Sequence, residues 1–272
     1  MKFFPQLAQE QKHKKTSLCV GLDPNPEKFP EGLPEGNDGI YQFLSRVIKA
    51  TAPYACAFKP QIAYFAAFRA EDVLEQLIVD IHREYPTIPV VLDAKRGDIG
   101  ATAEMYAREA FERYGANAVT VNPYMGEDSI RPFADYKDKG VFMLCRTSNP
   151  SAAETQNVPS ASGEKYFQFL AKLAAAHWNA HKNVGFVVGA TAVEELSQIR
   201  KACPETWFLV PGVGAQGGSL SEVLLKGSFS AGGGVLVNSS RGILYRSSGP
   251  DFAEAAGSSA LELQAEMEGY FK

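Results

Sequence analysis

Eight short runs of β-branched and apolar residues, each followed by a longer stretch with helical spacing, constrain this 272-residue chain more than any other feature. The strand candidates are 17–22, 55–59, 89–95, 118–122, 141–146, 184–188, 207–210 and 235–238. Between them, Ile40, Phe43, Leu44, Val47 and Ile48, then Val73, Leu74, Leu77, Ile78 and Ile81, recur at the three- and four-residue steps of a helix with one buried face. Such alternation implies parallel pairing, because parallel neighbours need a crossover. No linker rich in Pro, Gly or Ser divides the series, so a single domain over residues 1–272 is expected. Eight strand–helix units in about 250 residues is the arithmetic of a (β/α)8 TIM barrel. A doubly wound open sheet is the alternative, since periodicity does not report closure.

Composition narrows the partners. Lysine and arginine total 27 against 31 acidic residues, a net charge of −4, so no broad basic face for nucleic acid is expected. An anionic small molecule would have to be held by a few local groups. Cys19, Cys56, Cys145 and Cys203 lie far apart without a Cys-x-x-Cys pair, which argues against a zinc site or disulfide framework and fits a reducing compartment. The chain lacks a run of 18 apolar residues and a signal-like N-terminus, so a cytoplasmic protein without membrane contact is expected.

The informative polar residues fall at the C-terminal ends of the strand candidates: Asp23, Lys59, Asp93, Lys95, Asn122, Arg146, Gly189, Pro211 and Asn238. A barrel gathers those ends on one face, where active sites are built. Asp93 and Lys95 are two apart on one strand, so both side chains should leave the same side of the pleat, into the barrel. Two buried opposite charges are costly unless paired, and Lys59 ends the neighbouring strand. Asp98 stands where a helix from Thr102 onward would begin, a position suited to an N-cap. A phosphate site is expected from two loops: the glycine-rich 210–218, and Ser239-Ser240-Arg241-Gly242. Loops after strands 7 and 8 usually hold phosphate in this barrel, and an arginine adds a bidentate contact. His177 and His181 should share one face of a helix over 165–182, at the surface and without the glutamate of a zinc-protease helix. The basic run 12–15 reads as a solvated helix end.

Asp-x-Lys-x-x-Asp at Asp93, Lys95 and Asp98, with Gly21-Leu22-Asp23, Phe58-Lys59-Pro60, Thr147-Ser148-Asn149-Pro150, Pro-Gly-Val-Gly-Ala-Gln at 211–216 and Arg241, resembles the orotidine 5'-monophosphate decarboxylase family, in its longer bacterial-type branch. The resemblance implies conversion of orotidine 5'-monophosphate to uridine 5'-monophosphate and CO₂, with neither metal nor organic cofactor. It implies a charged network of Lys59, Asp93, Lys95 and Asp98 in a homodimer, Asp98 reaching into the partner's site. Ile99 and Thr102 would line that shared site. Asp23 would bind the ribose, Ser148 the pyrimidine edge, and Gln216 with Arg241 the phosphate, with Pro211 in the closing loop. A hexulose-phosphate synthase or another sugar-phosphate aldolase of the same barrel group shares Asp-x-Lys-x-x-Asp and is the nearest alternative.

Overall fold

The computed structural model describes residues 1–214, 217–230 and 232–271. All eight expected strands are present: β1 (Leu18–Leu22), β2 (Ala57–Pro60), β3 (Val91–Arg96), β4 (Ala118–Val121), β5 (Gly140–Arg146), β6 (Val184–Val188), β7 (Phe208–Pro211) and β8 (Val235–Ser239). They pair in parallel in the order β2-β1-β8-β7-β6-β5-β4-β3. The remaining seam, between β2 and β3, is joined by bridges Phe58–Val90 and Gln61–Asp93 and by the Phe58 N–H donating to the Pro89 carbonyl at 3.1 Å. The sheet is therefore a nearly closed parallel barrel, and the open-sheet alternative does not hold.

The helices are α1 (Phe3–Lys14), α2 (Gly36–Thr51), α3 (Ile62–Ala67), α4 (Glu71–Glu84), α5 (Gly100–Arg108), α6 (Arg131–Ala134), α7 (Ala152–Gln156), α8 (Tyr166–Leu173), α9 (Val193–Ala202), α10 (Leu220–Gly227), α11 (Arg241–Leu244) and α12 (Phe252–Glu268). Apart from α1, the long helices pack their apolar faces on the outside of the strands. The periodic residues of α2 and α4 are all buried or packed against this outer core. No helix among the described residues is long and apolar enough to cross a membrane. All four cysteines are buried and free.

Inside the barrel the strands alternate with a period of two, and this places the chemistry. Cys19, Ala57, Val91, Ala118, Phe142, Val187, Leu209 and Leu236, one from each strand, form a single apolar cluster. Helix α1 stops its lower end with Phe3, Phe4 and Leu7; Phe4 stacks on Trp207 at 5.3 Å and meets Phe142 edge-on at 5.7 Å. Two residues further along each strand, the same inward alternation reaches Gly21, Lys59, Asp93, Thr120, Leu144, Gly189, Pro211 and Asn238. The upper layer, Leu144 and Pro211 apart, is polar or backbone-lined where the lower is apolar. That layer is the floor of the site.

Three local expectations are corrected. The helix over 165–182 stops early: α8 passes into a π turn at Ala174–Trp178, and Asn179 turns its side chain to β6, accepting from the Val184 N–H at 2.9 Å and donating to the Val184 carbonyl at 3.2 Å. His181 therefore lies beyond the helix and off the face of His177, 3.7 Å from Asp135. In the basic run, Lys14 is not solvated. Its ammonium donates to the Ala52 and Ala55 carbonyls, both at 2.8 Å, just past the end of α2, and pairs with Glu10 at 2.7 Å. Finally, α5 begins at Gly100, with Ile99 as its N-cap residue. Asp98 lies one position too early to reach the helical N–H groups, and its carboxylate accepts from the Ile99 N–H at 2.8 Å instead.

Candidate active site

Lys59 and Asp93 come from adjacent strands, both from the upper inward layer, and are 4% and 8% exposed. The Lys59 ammonium donates to Asp93 Oδ2 at 2.8 Å, while the Lys95 ammonium donates to Asp93 Oδ1 at 2.6 Å. One carboxylate thus binds an ammonium on each oxygen, and two amines converge on one place. Lys95 differs from the expectation of an inward, buried side chain. Its backbone is left-handed, at φ +47°, within a register shift between β3 and β4, and its side chain is 46% exposed. The bulge lifts Lys95 to the rim instead of leaving it in the floor.

The electrostatics follow from this contact. Burial pushes the Asp93 carboxyl upward, but Lys59 and then Lys95 outweigh it and hold Asp93 well below the usual carboxylate range. Burial pushes Lys59 downward, but Asp93 and then Asp23 outweigh it, and the ammonium is held above its ordinary value. Both groups are charged throughout the neutral range.

A cavity of about 630 Å³ opens above this floor, lined by Asp23, Lys59, Asp93, Pro211, Asn238 and Arg241 among others. Asp23 Oδ1 and Asn238 Oδ1 are buried without a hydrogen-bond partner among the described residues, two acceptors at the wall of a polar cavity. Arg241 is exposed, and among the described residues it forms no ion pair. In the loop after β7, the N–H groups of Gly214, Gly217 and Gly218 are taken by the carbonyls of Gly218, Gly214 and Gly212. The glycines shape this loop through positive φ at Gly212, Gly214 and Gly217. Gln216 lies outside the described residues.

The other expected residues lie around the rim. Ser148 sits on the loop after β5 against Gly189, where an added Cβ would come within 2.6 Å of the Ser148 Cα and Cβ. Asp98, Ile99 and Thr102 stand at the start of α5; Ile99 and Thr102 are exposed, and none of the three lines the cavity within one chain.

Residues 16–256 match the sequence profile of the orotidine 5'-phosphate decarboxylase / HUMPS family. The chain belongs to that family. Orotidine 5'-phosphate decarboxylase of Azoarcus sp. (strain BH72) is 51% identical over 270 residues, covering 99% of this chain and 100% of the relative. The enzyme of that name from Bordetella pertussis is 51% identical over 265 residues, covering 97% of each chain. Among solved structures, Leishmania donovani OMP decarboxylase superposes with a TM-score of 0.85 at 39% identity, over 98% of this chain and 99% of that one.

Two residues of this barrel mouth were not singled out from the sequence. Thr120 hydrogen-bonds both Asp93 and the backbone of Lys95. Tyr245 holds the Asp23 loop, donating to the Asp23 carbonyl at 2.9 Å and accepting from the Asn25 N–H at 2.7 Å. Burial pushes its hydroxyl up to about 12. Thr120 had a signal, a lone hydroxyl at an inward position of an apolar strand. Tyr245 had none, because its partners lie more than 200 residues away.

Proposed function

We propose that this chain decarboxylates orotidine 5'-monophosphate to uridine 5'-monophosphate and CO₂, the last step of de novo pyrimidine synthesis, with Lys95 as the proton donor. The observation that carries the reading is the Lys59–Asp93–Lys95 contact beside a cavity with an unpaired arginine, in a chain about half identical to enzymes of that name. When the carboxylate leaves, the bonding pair stays on a ring carbon. An ammonium fixed beside that carbon stabilises the developing charge and then gives up its proton, so a C–H bond replaces the C–C bond. Lys95 stands at the rim, where solvent can reprotonate it. Lys59 and Asp93 fix its counter-charge, and a fixed dipole needs no reorganisation as charge develops.

Each remaining residue takes the role that the family likeness gives it. Asp23 accepts from a ribose hydroxyl, a role suited to a carboxylate that lines the cavity. Ser148 meets the pyrimidine edge, and Gln216 and Arg241 hold the phosphate, with Pro211 at the base of their loop. Phosphate contacts far from the reacting carbon supply binding energy that orients the ring. The functional unit is a single domain, and its assembly a homodimer. Asp98 forms no ion pair among the described residues, and Ile99, Met105, Tyr124 and Met125 leave apolar surface exposed beside it. Across the dimer, Asp98 would complete the partner's network, with Ile99 and Thr102 at the shared wall. Four buried thiols suit a cytoplasmic setting.

An ultraviolet assay with orotidine 5'-monophosphate, run with and without a chelator, tests the reading. Loss of orotidine absorbance that persists in chelator supports it. An inactive protein, or one acting only on sugar phosphates and silenced by chelator, points to the synthase side of the family instead.

A further inference from the structure

Between Leu92 and Arg96, β3 carries three residues opposite the single residue Thr120 of β4, since Leu92 pairs with Val119 and Arg96 with Val121. A bulge leaves its extra residues without ladder partners. Lys95 lies in this bulge with φ +47°, a conformation that residues with a Cβ rarely adopt and that persists only where the surroundings hold it. The Lys95 backbone N–H meets one side chain there. The Thr120 hydroxyl oxygen accepts from the Lys95 N–H at 3.0 Å and donates to Asp93 Oδ1 at 2.8 Å. That same carboxylate oxygen accepts from the Lys95 ammonium at 2.6 Å. A hydroxyl has one proton and two lone pairs, so it can serve both partners at once. Thr120 is 1% exposed, so in the folded chain its hydroxyl meets these partners rather than bulk water.

We propose that Thr120 is a positioning residue for the decarboxylation: its hydroxyl locks the β3 bulge and the Asp93 carboxylate together, and so sets where the Lys95 ammonium stands. The proposal rests on the assignment of Lys95 as proton donor. Thr120 touches the reaction only through Lys95 and Asp93, and does not itself line the cavity. A β-branched hydrophobe of the same shape would leave the Lys95 N–H unpaired and remove one of the two donors to Asp93 Oδ1. The bulge would then lose the contact that favours its left-handed turn.

The test compares Thr120→Val and Thr120→Ala with Thr120→Ser; alanine and serine differ only in the hydroxyl. Misplacing a reacting group by an ångström costs about 100-fold, so kcat should fall about 10- to 100-fold in the valine and alanine variants, with KM moving less than about threefold. Serine should restore kcat to within about threefold of wild type, which a role in packing alone would not produce. Alanine turning over like wild type, or serine falling as far as alanine, overturns the proposal. Should the valine variant not fold, the alanine–serine pair decides alone. A crystal structure of the alanine variant gives an arm independent of catalysis. Lys95 leaving positive φ, or its ammonium leaving Asp93, is expected, and unchanged Lys95 geometry defeats the proposal. Wild-type protein that releases no CO₂ sinks the decarboxylase reading instead, while the crystallographic arm still decides what Thr120 holds.

Discussion

At the scale of single residues, Asp93 decides the most. It neutralises two ammoniums, one of them fully enclosed, so Asp93→Asn leaves the buried Lys59 charge without its partner. Breaking a buried pair from one side costs about 3–5 kcal/mol, and urea unfolding near pH 7 should show a loss of that size. The pH dependence follows from the two directions of shift. Asp93 is held below its unfolded value, so its contribution is complete above about pH 4 and drains away as pH falls toward the native value. Lys59 is held above its unfolded value, so its contribution persists until pH rises past about 10.4. The stability gap between wild type and Asp93→Asn should therefore stay flat across the neutral range and narrow in acid. A gap that widens below pH 4 contradicts the ionised pair. Lys95 and Arg241 should separate in kinetics: Lys95→Ala abolishes turnover. Arg241→Ala acts mainly on KM, by about 10- to 100-fold, the worth of a hydrogen bond to a charged group. Normal kcat in Lys95→Ala would remove it from the chemistry. The sequence made Lys59 and Asp93 legible because their burial follows from strand alternation alone. The place of Lys95 was not legible, because the bulge that moves it depends on a hydroxyl of the next strand, 25 residues away.

Among the elements, β1 and β8 show how two strand ends are fitted to each other. Gly21 lies in the upper inward layer of β1, and a Cβ built on it would overlap the Ser240 Oγ and come within 2.8 Å of the Ser240 Cβ. Ser240 immediately precedes Arg241, so the space left by Gly21 fixes where the arginine loop departs. Ser240 also accepts from Asn238 Nδ2 at 3.2 Å, which holds the hydroxyl over that space. Gly21→Ala should push Ser240 and the start of α11 outward, raising KM about tenfold, a shift comparable to one hydrogen bond to a charged group. Ser240→Gly removes the obstructing atoms, so the double variant should recover most of the lost affinity, a non-additivity expected of groups in contact. Additive losses in the cycle would show that the two positions do not compete for the same space. No spacing rule exposes this fit, because the residues are far apart in sequence and meet only through strand pairing. Strand positions were legible to within two residues, since strand runs have a distinctive composition. The end of the α8 pattern was not, because Asn179 reaches forward to Val184 and ends the helical run.

For the whole molecule, one chain closes its barrel and stops the lower end with α1, yet leaves Asp98 at the rim with, among the described residues, only its neighbour's N–H as partner. The count of alternating units pointed to a barrel but left an open sheet possible, and only the β2–β3 bridges settle closure; an assembly in which copies share sites was implied by family likeness, not by periodicity. Exposed apolar side chains on α5 and on the loop after β4, among them Met105 at 52% and Tyr124 at 85%, are the surface the proposed homodimer would cover. Sharing has a numerical consequence. A Lys95→Ala chain keeps Asp98, and an Asp98→Asn chain keeps Lys95, so a dimer containing one of each rebuilds a single intact site and one doubly defective site. Random reassortment of equal amounts makes about half of all dimers mixed, with one working site in two, so the mixture should show about a quarter of wild-type activity. Each variant alone should be nearly inactive. Activity that appears only after subunit exchange, and rises with the mixed fraction measured by native mass spectrometry, fits a site built from two chains. If mixing restores nothing while mixed dimers are present, Asp98 acts within its own chain, and the apolar surface beside α5 needs a different explanation.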